Sequence, residues 1–201
     1  AQNHVYYPSS VGTCVRKQWF QRMVPIPFPD YMLKTFFAGD LWQDHMVDHI
    51  LTELAEKYDE IEIMPEKTIV LTFDHPTANR LIYISGRIDD YVSVKLPDGS
   101  RKAVPIEVKT YSRAVKYLKE SKPYNRDQLL CYAVALNSWF GYLLYIDKQH
   151  SPHHDNDKMT KTFKEVFTYN DWKELKSRII HLDDCLMNEQ LPIAEAKLKP
   201  N

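Results

Sequence analysis

The stretch SGRIDDYVSVKLPDGSRKAVPIEVK, residues 85–109, decides the fold that this sequence predicts. It belongs to two runs rich in Ile, Val and Tyr, residues 81–96 and 101–111, which are separated by Pro-Asp-Gly-Ser at 97–100. An Asp-Gly pair between two such runs is a strong local signal for a β-hairpin. The sequence therefore predicts two antiparallel strands joined by a tight turn.

The turn also predicts how the two strands pair. If a three-residue loop ends at Gly99, with Gly99 at positive φ, then Asp89 lies opposite Glu107 and Arg87 lies opposite Lys109. Side chains two residues apart on a strand share a face, and directly opposed residues have Cβ atoms about 5 Å apart. A shift of one residue in the pairing would break this geometry, and the sequence alone leaves that alternative open.

Two opposed carboxylates beside an amine suit a divalent metal. Asp89 and Glu107 would repel each other unless a cation joined them. Mg²⁺ takes oxygen ligands and often needs only one or two carboxylates plus substrate phosphate. Lys109 would then orient the attacking water, help to remove its proton or stabilise phosphate charge. Taken alone, the same residues are more typical of ordinary charged side chains on the wet face of a hairpin, because charged residues are common on strand faces.

A wider pattern favours the metal site. Gly-Arg-Ile-Asp at 86–89, Ile-Glu-Val-Lys at 106–109 and Gln128-x-x-x-Tyr132 follow one another in this order. This trio resembles the RecB-like branch of the PD-(D/E)XK nucleases, which includes CRISPR-associated adaptation nucleases and viral exonucleases. The resemblance covers residues 10–146. It implies a restriction-endonuclease-like α/β core with a mixed central sheet flanked by helices.

The resemblance also implies roles for individual residues. Asp89 and Glu107 match the metal ligands, the carbonyl of Val108 matches a further ligand, and Lys109 matches the catalytic lysine. The implied cofactor is Mg²⁺ or Mn²⁺. By the same resemblance, Gln128 and Tyr132 either contact the nucleic acid or support the site.

A basic stretch follows the predicted metal strand. Arg113, Lys116 and Arg126 are candidates for phosphate contacts, because lysine and arginine bind phosphates and unpaired bases can stack on aromatic rings. The stretch also contains Lys119, Lys122, Tyr111, Tyr117 and Tyr124. A solvated helix-and-loop surface would have the same composition, so both interpretations stay open.

A long amphipathic helix is predicted over residues 30–58. The resemblance places a histidine four residues after a glycine on this helix, but Gln43 is the residue four positions after Gly39. Gln43 falls on the apolar stripe of the helix, whereas His45 points away from it. An amide binds metal less well than imidazole, so Gln43 would either contribute to the site or only hold a water or a carboxylate.

The remaining pattern completes an α/β chain that we expect to be one domain over residues 1–201. It predicts strand segments at 61–73, a helix at 126–137, a strand buried on both faces at 139–146, an edge strand at 160–169 and a closing helix at 170–189. The stripe of the closing helix consists of Trp172, Leu175, Ile179, Leu182 and Leu186.

Composition excludes several other classes of protein. The net charge of −1 does not by itself indicate that the protein binds nucleic acid, so any basic surface that binds phosphates must be local. The sequence has no apolar run of membrane-spanning length and no secretory pattern at its start. Cys14, Cys131 and Cys185 are three dispersed cysteines, whereas an iron–sulfur cluster usually needs four thiolates, so we expect no cluster and a small, buried Cys14. We expect the thiols to be reduced, which fits a protein of the cytoplasm, or of the host cytoplasm if the chain is viral.

The residues and the resemblance together predict a Mg²⁺- or Mn²⁺-dependent deoxyribonuclease that prefers single-stranded DNA. The resemblance implies a role in replication, repair or recombination of a virus or prokaryote. Two alternatives stay open: a catalytically silent nucleic-acid-binding or assembly protein on the same fold, and an RNA nuclease. The sequence does not decide between endonuclease and exonuclease, or whether the chain forms a homo-oligomer.

Overall fold

Two mixed β-sheets lie at the centre of the computed structural model, which describes residues 4–34, 60–64, 66–88, 90–111, 115–147 and 160–194, together with positions 37, 52, 56 and 58. The strands are β1 Val5–Tyr6, β2 Ile61–Met64, β3 Lys67–Asp74, β4 Leu81–Ile88, β5 Asp90–Lys95, β6 Arg101–Tyr111, β7 Phe140–Asp147 and β8 Thr160–Val166. The helices are α1 Pro8–Val11, α2 Val15–Met23, α3 Pro123–Ala135 and α4 Tyr169–Met187, and a 3₁₀ turn covers Val115–Tyr117.

The smaller sheet has the order β1-β4-β3, with β1 parallel and β3 antiparallel to β4. The larger sheet has the order β2-β5-β6-β7-β8, in which β6 and β7 run parallel and the other neighbours run antiparallel. The α/β class with mixed sheets and flanking helices is confirmed. β8 is an edge strand, as predicted, and β7 has a run of four buried residues at 143–146.

One strand prediction is wrong. Residues 81–96 do not form one strand, because β4 ends at Ile88 in the smaller sheet and β5 begins at Asp90 in the larger one. Arg87 therefore pairs with Thr68 of β3, and its predicted pairing with Lys109 is incorrect. Apolar and β-branched residues continue through both strands, so composition gives no sign of the change of sheet.

The main core lies between the helices and both sheets. It joins Ile82 and Ile84 of β4 to Leu143 and Tyr145 of β7. The helices contribute most of the remaining side chains, among them Val11, Val15, Leu129, Leu130, Trp172, Leu175, Ile179, Leu182 and Leu186. The stripe predicted for the closing helix is thus buried as expected.

Helix α4 begins in a capping box. The hydroxyl of Thr168 accepts a hydrogen bond from the backbone N–H of Asp171, and the carboxylate of Asp171 accepts one from the backbone N–H of Thr168. These bonds satisfy backbone donors that the first helical turn leaves without intrahelical partners. The sequence predicts a start at Asn170, whereas the helix begins at Tyr169 and its cap is Thr168.

Gly86, the glycine of the Gly-Arg-Ile-Asp segment, is required by packing. A Cβ at this position would lie 2.7 Å from Cδ of Pro8, the first residue of α1. The backbone of β4 can approach α1 closely only because residue 86 has no side chain.

The cysteines differ in exposure. Cys14 precedes α2 and is exposed, so the prediction that it is buried is wrong. Cys131 and Cys185 are buried, and all three thiols are unpaired. Burial raises the pKa of Cys131 well above its usual range, which makes this thiol a poor nucleophile at neutral pH.

Most of the predicted helix at 30–58 lies outside the described residues, and so do Gln43 and His45. Residues 30–34 are helical, in agreement with the predicted start. None of the helices that the structure describes is long and apolar enough to cross a lipid bilayer.

A buried carboxylate ties the N-terminal segment, the β3–β4 hairpin and α4 together. Asp183 is 1% exposed, accepts hydrogen bonds of 2.7 Å from the hydroxyl of Tyr6 and from Nε of Arg80, and lies 2.7 Å from Nδ1 of His4. Burial alone would raise the pKa of Asp183, but the bonds from His4, Tyr6 and Arg80 outweigh this and lower it.

We expect Asp183→Asn to lower the free energy of unfolding at pH 7 by about 3 kcal/mol, because it leaves the charge of Arg80 without its buried partner. A carboxylate with a lowered folded pKa stabilises the fold above the ordinary aspartate pKa of about 3.9, and this contribution is lost as the pH falls through the folded value. The variant should therefore lose less stability than the wild type between pH 5 and pH 2, measured by urea unfolding.

The exposed carboxylate of Asp74 provides the control, since Asp74→Asn should leave unfolding nearly unchanged. If Asp183→Asn were as stable as the wild type at pH 7, the stabilising role assigned to the hydrogen bonds of Asp183 would be contradicted.

Candidate active site

The turn between β5 and β6 fixes the geometry of the site. The N–H of Leu96 donates to the carbonyl of Ser100 at 2.8 Å, and the N–H of Gly99 donates to the carbonyl of Leu96 at 2.9 Å. Gly99 has φ of +83°, which an L side chain would disfavour. The loop is the predicted three-residue loop with glycine at positive φ.

The register that this loop imposes is the predicted one. Lys95 pairs with Arg101, and the pairing continues to Asp90 opposite Ile106. Asp89 itself lies outside the described residues, so its pairing with Glu107 stays a prediction.

Glu107 and Lys109 lie on one face of β6, as predicted. Their register partners on β7 are Leu143 and Tyr145, which are buried in the main core. Glu107 is 8% exposed, and its Oε1 lies 2.5 Å from Nζ of Lys109. A buried carboxylate requires a positive partner, and the lysine two residues further along the strand supplies one.

The side chain of Val108 points to the opposite face of the sheet. It is 3% exposed and packs in a second apolar cluster with Val104, Leu144 and Ile146. The role predicted for the Val108 carbonyl stays a prediction.

Helix α3 covers the face that carries Glu107 and Lys109. Leu129 of this helix contacts Gly141 of β7 so closely that an added Cβ would lie 2.9 Å from it and 2.8 Å from the carbonyl oxygen of Pro105 on β6. A glycine at this position therefore lets the helix lie directly on the strands that form the site.

Gln128 and Tyr132 lie on α3 and contact each other. Nε2 of Gln128 donates to the hydroxyl of Tyr132 at 3.2 Å, and both residues are buried. Tyr132 packs with Ile88 of β4 and Tyr91 of β5, at the junction of the two sheets. Burial of both residues favours the supporting role over direct contact with nucleic acid.

Arg126 is engaged in ion pairs within the protein. Its Nε lies 3.1 Å from Glu165 on β8, and its Nη1 lies 3.0 Å from Asp171 at the start of α4. Its Nη2 donates to the carbonyl of Val166, and the guanidinium lies 4.8 Å from the ring of Phe167. These contacts connect α3 to α4 and leave the predicted phosphate contact of Arg126 without support.

The other two predicted phosphate contacts differ. Lys116 is exposed on the 3₁₀ turn, with its amine 5.0 Å from the ring of Tyr117. Arg113 lies outside the described residues.

The structure adds a contact network beside Lys109 that the sequence did not reveal. The hydroxyl of Tyr145, the residue paired with Lys109, accepts hydrogen bonds of 2.9 Å from the backbone N–H of Lys122 and from Nδ2 of Asn125. The amine of Lys122 lies 5.8 Å from the ring of Tyr111, which packs edge-on against Tyr145. Tyr145 belongs to an apolar run, so nothing in the sequence indicates that its hydroxyl accepts hydrogen bonds.

The described residues supply part of what a hard divalent cation needs as ligands. Glu107 provides carboxylate oxygens, which Mg²⁺ and Mn²⁺ prefer. Within the residues that the structure describes, no three His, Cys, Asp or Glu side chains converge as a complete metal site. The second carboxylate predicted for the site is Asp89, which is outside those residues.

Comparisons with known proteins show the fold. No protein-family model matches the sequence, and no curated protein is similar to it. The crystal structure of SSO0001 superposes with a TM-score of 0.60 at 15% identity, over 98% of this chain and 81% of that one.

An alkaline exonuclease, LHK-Exo from Laribacter hongkongensis, superposes with a TM-score of 0.56 at 14% identity, over 92% of this chain and 89% of that one. Its complex with dAMP gives a TM-score of 0.53 at 11% identity over the same shares of the two chains. At such low identities the likeness shows the fold alone, and this chain therefore shares the fold of these solved structures.

Proposed function

We propose that residues 1–201 form one domain of the RecB-like PD-(D/E)XK type and hydrolyse phosphodiester bonds in DNA with the help of Mg²⁺ or Mn²⁺. The observation that carries this proposal is the buried carboxylate of Glu107 beside the amine of Lys109, on the face of the sheet that α3 covers. The shared fold with an alkaline exonuclease supports it. The setting would be replication, repair or recombination in the cytoplasm of a prokaryote, or of the host of a virus.

The metal would be held by Asp89, by Glu107 and by the carbonyl of Val108. When bound, a divalent cation lowers the pKa of water and neutralises charge that develops on the phosphate. Glu107 is suited to hold the metal because its carboxylate is buried and already forms an ion pair with the amine of Lys109.

Lys109 would act on the attacking water and on the phosphate. Its side chain is 31% exposed, so its amine can reach a bound substrate while it stays beside Glu107. Tyr145 is paired with Lys109 in the sheet, and Tyr111, two residues further along β6, packs edge-on against Tyr145.

The remaining proposed roles concern position and binding. Gln128 and Tyr132 would support the site from α3, since both are buried and bonded to each other. Lys116 and Arg113 would bind the phosphate backbone of DNA.

We expect Glu107→Gln and Asp89→Asn each to lower DNA cleavage by more than about 1,000-fold, because each removes a charged metal ligand. The measurement is cleavage of a labelled oligonucleotide with Mn²⁺, with Mg²⁺ and with EDTA, and EDTA should abolish cleavage by the wild type. Glu62→Gln is a matched control, since Glu62 also pairs with a cation on this sheet, Arg101, but is exposed. Full activity of both site variants would refute the proposal and indicate a contaminating nuclease.

We expect Lys109→Met to lower cleavage by at least about 100-fold, because the variant lacks the group that acts on the water. Metal binding should not fall with it: the amine of Lys109 competes with a cation for Glu107, so titration calorimetry with Mn²⁺ should give equal or higher affinity. Lys95→Met, at an exposed position of β5, should change neither quantity. A parallel loss of Mn²⁺ affinity and cleavage would assign Lys109 to site structure instead of catalysis.

We expect single-stranded DNA to be cut at least about tenfold faster than the same sequence as a blunt duplex, because aromatic and basic side chains beside the site favour unpaired bases. The measurement compares initial rates on oligonucleotides of equal length at one salt concentration, since phosphate contacts depend on salt. Faster cutting within blunt duplexes would contradict this preference, and an RNA strand in the same assay tests the choice of nucleic acid.

A further inference from the structure

An exposed tyrosine stands on a well-anchored 3₁₀ turn that comes after β6 in the chain. The ring of Tyr117 is 75% exposed at the end of the 3₁₀ turn. The residues on either side of Lys116 and Tyr117 are buried, with Val115 at 0% and Leu118 at 6% exposure, and the N–H of Leu118 donates to the carbonyl of Val115 at 2.9 Å. The turn is therefore held firmly while its aromatic ring faces solvent.

The turn is anchored on the same side of the sheet as the candidate catalytic residues. Val115 and Leu118 belong to the same core cluster as Leu143 and Tyr145. Those two residues of β7 are the register partners of Glu107 and Lys109. Since paired residues of neighbouring strands point to the same face, the turn and the Glu107–Lys109 pair lie on one face of the larger sheet.

Positive charge accompanies the ring. The amine of Lys116 lies 5.0 Å from the centre of the Tyr117 ring, and Lys119 is exposed on the segment that follows. Lys122 continues the basic segment towards Lys109, with its amine beside Tyr111, two residues along β6 from Lys109. A single exposed tyrosine is common on protein surfaces, but an aromatic ring with lysines beside a basic path is the combination that binds single strands.

We propose that Tyr117 is a base-stacking residue: its ring stacks on an unpaired base of the strand bound at Lys109, and Lys116 binds an adjacent phosphate. This inference rests on the proposed nuclease function and accounts for the proposed preference for single strands, because bases inside a duplex are stacked on one another and cannot cover the ring. The substrate class is a single strand or an unpaired end.

The test measures DNA binding separately from cleavage. The Glu107→Gln variant, which we expect not to cleave DNA, serves as the background for the binding measurements. Fluorescence anisotropy gives the affinity of this variant for a labelled single strand, for the blunt duplex and for an abasic strand of equal length. Adding Tyr117→Ala should weaken binding of the single strand about tenfold. Binding of the duplex and of the abasic strand should change less than about twofold, and Tyr117→Phe should retain the affinity because it keeps the ring.

Tyr169 provides a matched control. It is 63% exposed and also has a lysine amine near its ring, that of Lys176 at 5.8 Å, but it stands at the start of α4. Tyr169→Ala should leave all three affinities unchanged. Thermal unfolding should be the same for both variants, since neither ring is buried.

Equal affinity of the background and its Tyr117→Ala variant for the single strand would overturn the inference, and so would an equal loss on the abasic strand. Cleavage by the protein with Glu107 intact is measured in parallel. Absence of cleavage there would refute the nuclease proposal, whereas the binding comparison would still decide whether Tyr117 stacks on bases.

Discussion

The pairing register of β5 with β6 determines which face of the larger sheet carries charge. Side chains alternate along a strand, so a shift of one residue would turn Glu107 and Lys109 towards the apolar cluster of Val104, Leu144 and Ile146. Placing a carboxylate and an amine among these side chains would cost several kcal/mol for each charge, about as much as a small domain's whole margin of stability. The turn at Gly99 and the apolar opposite face therefore specify the same register, and the position of the site follows from it.

Burial of Glu107 has a consequence for its chemistry. A carboxylate removed from water is stable as an anion only next to positive charge, and Lys109 supplies this charge in the structure. The same physical demand suits a divalent cation, which would take over part of the role of the amine and free Lys109 to act on substrate. One electrostatic requirement thus accounts both for the ion pair that is present and for the ligand that the site would accept. Arg126 is the opposite case, because its partners Glu165 and Asp171 belong to the protein's own framework.

Features set by local chemistry could be predicted from the sequence, and those set by distant partners could not. The loop at Gly99, the shared face of Glu107 and Lys109 and the stripe of α4 follow from turn preference and from periods of two and 3.6 residues. The change of sheet between β4 and β5 does not follow from these local signals. Arg87 pairs with Thr68 of β3, and the alternation of apolar and polar residues does not indicate which strand is the partner. The hydrogen bonds to Tyr145 were missed for the same reason, since its partners Lys122 and Asn125 come from a different element.

A buried polar pair of α3 lies where the two sheets meet. The Gly-Arg-Ile segment ends β4 in the smaller sheet, whereas Glu107 and Lys109 belong to the larger one, so the site depends on how the two sheets meet. At their junction Tyr132 packs against Ile88 and Tyr91, and its hydroxyl accepts the hydrogen bond from Gln128. A phenylalanine in place of Tyr132 could keep the packing, but it would leave the buried amide of Gln128 without this acceptor. The ring of Tyr132 thus connects α3 to both sheets at their junction, and the hydrogen bond within the helix gives the buried amide of Gln128 an acceptor.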